Sequence, residues 1–386
     1  MIRAAVIGTG KISESHLQAY RSFGERCQVV ALSDIYPDKC EELQEKFQLN
    51  CKIVSDYKIL LDDPEIELVS ICTPPYMHAE MAIAFLLAGK HVLVEKPMAS
   101  SLEECDRMLE AARQSGRILS VISQNRFRDP TMRLKKVLES NLLGKVVHAQ
   151  VESFWWRGYV YYDLWWRGTW EKEGGGCTLN HAVHHIDMFQ WMMGMPDQIQ
   201  AVMTNISHDN AEVEDLSIAI LSYPNGALAQ ITSSVVHHGQ EQQLIFQTEK
   251  ARVSAPWKVY ASVSRENGFP IRNESLEAEL EAYYTSLPGL EYTEHAGQID
   301  DVLKAIENGH QDILVDGHEG RKTLELITAI YQASTTGVSV KLPLQPDSPF
   351  YTTEGILANA PRFYEKKNSL IGFANNEITL GSDYKK

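Results

Sequence analysis

The chain has 386 residues, more than one hydrophobic core usually serves, so two domains are expected. A formal net charge of −15 excludes binding of a nucleic-acid backbone through a general basic surface, yet leaves room for a local anion site. Six scattered cysteines (Cys27, Cys40, Cys51, Cys72, Cys105 and Cys177) form no CxxC pair and no disulfide framework, which fits a reducing compartment.

The chain opens on IRAAVIG, which reads as a core strand and not as a signal peptide. Apolar runs such as MAIAFLLAG are too short to span a bilayer, so the expected setting is cytoplasm, without membrane partners. Apolar, β-rich runs recur at 4–8, 27–33, 52–54, 68–72, 91–95 and 117–123. Between most of them lie amphipathic stretches. DKCEELQEKF puts Cys40, Leu43 and Phe47 on one side. HAEMAIAFLLAGK stops at Gly89, and SLEECDRMLEAARQSG opens on Ser100 or Ser101 and stops at Gly116. Strands alternating with helices predict βαβ units: a Rossmann-type α/β domain with a doubly wound parallel sheet over 1–124.

After QNRFRDP the pattern changes. A helix over 131–140 is followed by the alternating runs VVHAQVESF, QIQAVMTNIS, LSIAILSYPNGALAQITSSVV and QQLIFQTEKARVSA. The Asn-Gly of YPNGAL marks a tight hairpin. Helices return at 298–308 and 318–335. This predicts an α+β domain with a large, mostly antiparallel open sheet over 125–345, serving substrate binding and oligomerisation. Residues 346–386 read as a C-terminal extension packing on the body.

VIGTGKIS lies where the first strand meets the first helix. Gly8 permits the tight turn, Gly10 lets backbone approach a pyrophosphate, and Lys11 and Ile12 complete the loop as the helix N-terminus supplies N–H donors. Ser13 stands in the third glycine position. The second strand ends at Asp34, an acid suited to the ribose hydroxyls of NAD and repelling the 2′-phosphate of NADP; Ile35 and Tyr36 follow, not arginine.

GTGKIS…H, CTPPYMHAEMAIAFLLAGKHVLVEKPMA and GGGCTLNHAVHHIDMFQWMMG follow in this order. Together with GQIDDVLKAIENG and VDGHEGRKTLELITAIYQASTTG, the chain resembles the glucose–fructose oxidoreductase / inositol dehydrogenase / MocA family of NAD(P)-dependent sugar and cyclitol oxidoreductases. The resemblance implies that Lys96 of the Glu-Lys-Pro motif reaches the nicotinamide and the reacting hydroxyl. It places Glu95 beside the cofactor and a cis bond before Pro97. It also lays Thr73, Pro74 and His78 along the cofactor, turns Asn125 and Arg126 toward the cleft, and brings Trp166 and Arg167 to the cofactor. The family's second catalytic element, Asp-x-x-x-His, matches Asn180 and His184: the histidine is kept and the aspartate is not.

Asn180, one helical turn before His184, is expected on the same helix face, where it can hydrogen-bond a sugar hydroxyl but cannot titrate. Lys96 and His184 are then the proton-handling pair. In FWWRGYVYYDLWWRGTW the aromatic faces suit sugar rings, with Tyr162 among the substrate contacts, or equally an oligomer interface. His181 and His185 share a face in HAVHHID, but no third and fourth metal ligands stand out, so no metal is expected. The combined reading is an NAD-dependent dehydrogenase of a ring secondary hydroxyl, with C3 as one position, in a sugar, glycoside or inositol, working as a homo-oligomer, dimer or tetramer. Its rivals are an NADP-linked keto-sugar reductase, a glycosidase acting by oxidation and elimination on bound NAD, and a non-catalytic NAD-binding sensor.

Overall fold

The computed structural model describes residues 1–373; residues 374–386 of the expected C-terminal extension lie outside the described part. In chain order the elements are β1 (Ile2–Ile7), α1 (Ser13–Arg21), β2 (Cys27–Ser33), α2 (Pro37–Phe47), β3 (Lys52–Val54), β4 (Leu68–Ile71), α3 (His78–Leu87), β5 (His91–Val94), α4 (Leu102–Ser115) and β6 (Leu119–Val121). Then follow α5 (Asp129–Glu139), β7 (Val146–Phe154), α6 (Cys177–Asn180), α7 (Val183–Met193), β8 (Gln198–Thr204), β9 (Leu216–Ser222), β10 (Leu228–Ser234), β11 (Gln242–Thr248) and β12 (Ala251–Ala255). The remainder comprises β13 (Lys258–Ser264), β14 (Pro270–Arg272), α8 (Glu274–Ser286), α9 (Glu294–Asn308), α10 (Gly317–Thr336), β15 (Val340–Lys341) and α11 (Thr353–Asn359).

Contacts divide the chain into two compact units, Met1–Phe127 with Leu290–Leu324, and Arg128–Gly289 with Glu325 onward. The sequence pattern assigns 290–324 to the second domain; the fold gives this stretch to the first. The reason is burial. Ile299, Val302, Leu303 and Ala305 of α9 enter the same core as Val6, Leu17, Leu32 and Leu68, and apolar area removed from water is the dominant favourable term. Gln298 adds polar stitching, accepting from the Ser123 N–H at 2.8 Å and donating to the Val121 carbonyl at 2.7 Å.

In the first unit the six strands run in the order β3-β2-β1-β4-β5-β6, all pairs parallel. Its central strands are buried on both faces, hence the unbroken apolar runs. The order reverses between β1 and β4, where such sheets place ligands beyond the strand C-termini. Helix α4 is capped as the sequence predicts: Ser101 Oγ accepts from the Glu104 N–H at 3.3 Å, and the Ser100 N–H donates to Glu104 at 2.9 Å.

In the second unit nine strands run β14-β13-β12-β11-β7-β10-β9-β8-β15, antiparallel except for the β7–β10 pair. One face is buried through Ala149, Val151, Ala219, Leu221, Ile231 and Phe246, with α7 against β7 and α5 against β12. The other exposes Ile218, Ile220, Leu228 and Tyr260. The Pro-Asn-Gly turn joins β9 and β10 as expected: Gly226, at φ +85°, closes onto Tyr223 at 2.9 Å, and Asn225 accepts from the Ala227 N–H. The described part of the extension lies on this unit. Leu370 exchanges backbone bonds with Asp163 and Trp165, and the Trp170 indole donates to the Pro361 carbonyl at 2.8 Å.

Candidate active site

The loop after β1 is set by Gly8. Its φ is +86°, and a Cβ there would stand 2.9 Å from the backbone carbonyl of Cys72 at the end of β4. Gly10 faces open space, with no heavy atom within 4 Å of the place a Cβ would occupy. Ser13, buried, donates its hydroxyl to the Gly10 carbonyl at 2.6 Å, which suits the third glycine position. Lys11 is exposed and pairs with Glu14 at 3.1 Å, while Ile12 packs on the core. Asp34 is half-buried. It accepts from the Thr9 N–H at 2.8 Å, the Thr9 hydroxyl at 3.0 Å and the Tyr36 N–H at 3.0 Å. Those bonds fix the carboxylate and leave about one of its roughly four acceptor sites for a ribose hydroxyl. Open space over Gly10, the start of α1 and an oriented acid on β2 fit a dinucleotide.

The neighbouring strands bring up the rest of the first unit's residues. Thr73 and Pro74 follow β4, half-buried; Glu95, Lys96 and Pro97 follow β5, and the Lys96–Pro97 bond is cis. Lys96 is half-buried. Asn125 is half-buried, and its Oδ1 is buried without a hydrogen-bond partner.

Three expectations are corrected here. His78 does not lie open along a cofactor: it is buried, with Nδ1 2.9 Å from the Pro97 carbonyl and Nε2 2.8 Å from the Thr73 carbonyl. It braces the two segments that follow β4 and β5, and burial lowers its pKa despite those carbonyls. Arg126, expected among the substrate contacts, is not exposed to a substrate. Its side chain is fully buried and its guanidinium bonds Glu319 at 2.9 Å, a buried charge held by its partner. Glu95 is buried too and points away from solvent, into a cluster with His16 and His295. Burial works to raise its pKa, but the two histidines and the Lys96 charge outweigh that and hold it well below the ordinary carboxylate range.

In the second unit Asn180 and His184 are both half-buried, but they do not share one helix. Helix α6 ends at Asn180 and α7 begins at Val183. The carbonyl of Cys177 accepts from both His181, at 3.1 Å, and Ala182, at 2.9 Å, so the ladder slips by one residue and the face is broken. Asn180 donates its amide to the Gly175 carbonyl at 2.8 Å. An aspartate cannot make that bond, which gives the departure from Asp-x-x-x-His a structural reason. His185, by contrast, is a core histidine: it is buried, bonds Ser153 Oγ at 3.0 Å, and burial with the Arg128 charge lowers its pKa to about 4. Among the described residues the HAVHHID histidines join no three-ligand group.

The Arg167 guanidinium lies 4.1 Å from the Tyr161 ring and 4.2 Å from the Trp166 ring, and bonds Glu173 at 3.0 Å. Glu173 also accepts from the Gly168 N–H; burial raises its pKa to about 6 against the pull of Arg167. Tyr162 is corrected from a substrate contact to a core residue, 1% exposed and packed edge-on to His208 at 4.9 Å. Sequence reasoning missed Glu214, which accepts from Gly176, Thr178 and Tyr331 and so anchors the glycine loop before Asn180. It quoted His16 in GTGKIS…H without giving it a role, and it missed His295. His16 carried a signal, a histidine on the face of α1 that also bears Ser13, Leu17 and Tyr20; His295 carried none.

Comparison with known proteins agrees with this geometry. Residues 2–123 match the description "Oxidoreductase family, NAD-binding Rossmann fold", and 131–254 match the GFO/IDH/MocA C-terminal domain. The chain is 25% identical to a myo-inositol 2-dehydrogenase of Thermotoga maritima, over 88% of this chain and 98% of that protein. It is 23% identical to a D-glucoside 3-dehydrogenase of Escherichia coli, over 88% and 97%. A solved structure of the WlbA dehydrogenase from Bordetella pertussis, in complex with NADH and UDP-GlcNAcA, superposes with a TM-score of 0.76 at 28% identity, covering 89% of this chain and 98% of that one. A glycine loop, an acid at the end of β2, a Glu-Lys-Pro strand end and two matched domains place the chain in the GFO/IDH/MocA family of NAD-binding oxidoreductases.

Proposed function

We propose that the protein oxidises a ring secondary hydroxyl of a sugar, glycoside or inositol, with C3 as the first position to test. The observation that carries this is the half-buried Lys96 at the end of β5, in the same sheet as the dinucleotide loop and beside the point where strand order reverses. The named substrates of the relatives, inositol and D-glucosides, support the class.

NAD, when bound, supplies the hydride acceptor. Gly8, Gly10 and the start of α1 hold its phosphates, Asp34 its ribose, and Thr73, Pro74 and Asn125 border it. The protein must take the hydroxyl proton and hold the developing C–O dipole. Lys96 is the first unit's group for this; His184 is the second unit's, and an imidazole's ordinary pKa suits a base near neutrality. Asn180 orients the loop that carries it, and Trp166 with Arg167 offers an aromatic and cationic wall for hydroxyls or cofactor. The apolar outward face of the nine-stranded sheet supports a homo-oligomer, dimer or tetramer, which light scattering would test.

The test is NADH absorbance with NAD+ and a panel of hexoses, glycosides and inositols. Turnover by a member of the panel that Lys96→Ala abolishes is the expected result. Turnover unchanged in Lys96→Ala overturns the assignment of Lys96. Tight NAD binding without turnover across the panel favours a sensor, and glycoside cleavage without net NADH favours oxidation and elimination.

A further inference from the structure

Behind Lys96, inside the first unit, runs a continuous buried chain of polar groups. Tyr20 Oη lies 2.7 Å from Ser70 Oγ, Ser70 Oγ lies 3.1 Å from His16 Nδ1, and His16 Nε2 lies 3.0 Å from Glu95 Oε1. The other Glu95 oxygen accepts from the Lys96 N–H at 3.2 Å. From α9, His295 aims Nε2 at Glu95 Oε1 across 3.6 Å, and that nitrogen has no hydrogen-bond partner. The two imidazoles meet edge to face at 5.3 Å.

The chain has one self-consistent proton arrangement. An ionised Glu95 only accepts, so His16 donates through Nε2. Neutral His16 then accepts at Nδ1 from the Ser70 hydroxyl, and Ser70 accepts from Tyr20. Burial lowers the His16 pKa against the pull of Glu95, which keeps the ring neutral. Tyr20, Ser70, His16 and Glu95 are each hydrogen-bonded in this arrangement, while His295 Nε2 faces the carboxylate from 3.6 Å.

We propose that His16 and His295 are positioning residues that lock the Glu95 carboxylate in one orientation and charge, and thereby set the geometry and electrostatics of the adjacent Lys96. The consequence is local. A fixed negative charge one residue away favours the ammonium form of Lys96, and the Glu95–Lys96 N–H contact fixes the backbone from which its side chain departs. The titratable groups facing this carboxylate are His16 of α1, Cys72 after β4, His78 of α3, Lys96 itself and His295 of α9. Cys72 is held as a neutral thiol by burial and by Glu95, so it does not compete. The role of Lys96 in turnover is taken from the function proposed above; the coupling itself is not.

The experiment therefore reads Lys96 without turnover. Trace acetylation of the full chain with acetic anhydride, followed by mass spectrometry of the peptide holding residue 96 across a pH series, gives the lysine's titration midpoint. Glu95→Gln is expected to lower that midpoint by about one pH unit. His295→Leu is expected to shift that midpoint as well, by releasing the carboxylate from its single orientation, and His295→Gln, which keeps an amide donor facing Glu95, restores most of it. His16→Gln serves as the second conservative variant, because an apolar residue there risks folding. On an active substrate the His295→Leu change should move kcat and its pH profile while leaving KM for NAD within about twofold. An unchanged Lys96 midpoint in Glu95→Gln and His295→Leu overturns the proposal. So does one-to-one heat from Zn2+ titrated into the protein and lost in His16→Gln or His295→Leu, which would make the three residues a cation site. If Lys96→Ala keeps full turnover while the midpoints shift as expected, the coupling stands and only the functional assignment of Lys96 falls.

Discussion

Gly8→Ala and Gly10→Ala differ by one methyl group each, two residues apart, and should fail in opposite ways. At Gly8 an L residue would sit at φ +86°, costing about 1–2 kcal/mol. Its Cβ would also stand 2.9 Å from the carbonyl carbon and oxygen of Cys72. That backbone cannot yield cheaply, because Cys72 N–H bonds the Ile7 carbonyl at 2.7 Å and Gly8 N–H bonds the Ser33 carbonyl at 2.7 Å. Overpacking of this kind adds about 1–3 kcal/mol. The sum, roughly 3 kcal/mol, is a large part of the 5–15 kcal/mol expected of a whole domain. With a urea slope near 2 kcal/mol per molar it lowers the midpoint of the first unit by about 1.5 M. Gly10 lies outside the left-handed region and a methyl there meets nothing, so its stability should change by less than about 0.5 kcal/mol. The same methyl obstructs the close approach of a pyrophosphate, and NAD affinity should fall at least about tenfold. All seven tryptophans lie between residues 155 and 257, in the second unit, so tryptophan fluorescence would miss the effect. Hydrogen exchange of β1 and β4 amides under urea is the suitable assay, with calorimetry for NAD. Equal destabilisation by the two alanines, or full NAD affinity in Gly10→Ala, would refute the reasoning.

Asp34→Ser should shift cofactor preference from NAD toward NADP by at least about tenfold in the ratio of dissociation constants, because it removes the charge that repels a 2′-phosphate; an unchanged ratio places the ribose elsewhere. Asn180→Asp restores the common family residue but sets a carboxylate against the Gly175 carbonyl, so it should cost about 1–3 kcal/mol and not raise turnover; a more stable, faster variant would show the loop bond to be dispensable. His185 has a folded pKa of about 4 against 6.5 unfolded, so the unfolded chain binds the extra proton between those values. Stability from this residue is therefore complete above about pH 6.5 and falls by roughly 3 kcal/mol as pH drops to 4. Urea unfolding followed by tryptophan fluorescence, with Trp155 6.4 Å from the His185 ring, should show a loss on acidification that His185→Gln reduces.

Much of the first unit was legible because its signals are local. Strand runs, helix caps and the GxG turn depend on neighbours in sequence, and a parallel sheet buried on both faces writes itself as unbroken apolar strands. Gly8, Gly10, Asp34 and Lys96 stand where such a pattern implies. The second unit was legible in class, through the alternation of its strands and the Asn-Gly turn. The helix expected to run through Asn180 and His184 was not, since a one-residue slip at Cys177 depends on how the chain packs and not on propensity.

What the sequence by itself determined is therefore the fold class, the dinucleotide loop and the strand end that carries Lys96. Tertiary structure alone decided which polar residues are buried and against what. Arg126, Tyr162 and His78 look available in sequence and are internal in the fold. It also decided that α9, about two hundred residues beyond β5, enters the first core and delivers His295 to Glu95. Burial and long-range pairing follow from which apolar faces meet, and no local pattern records a partner that distant.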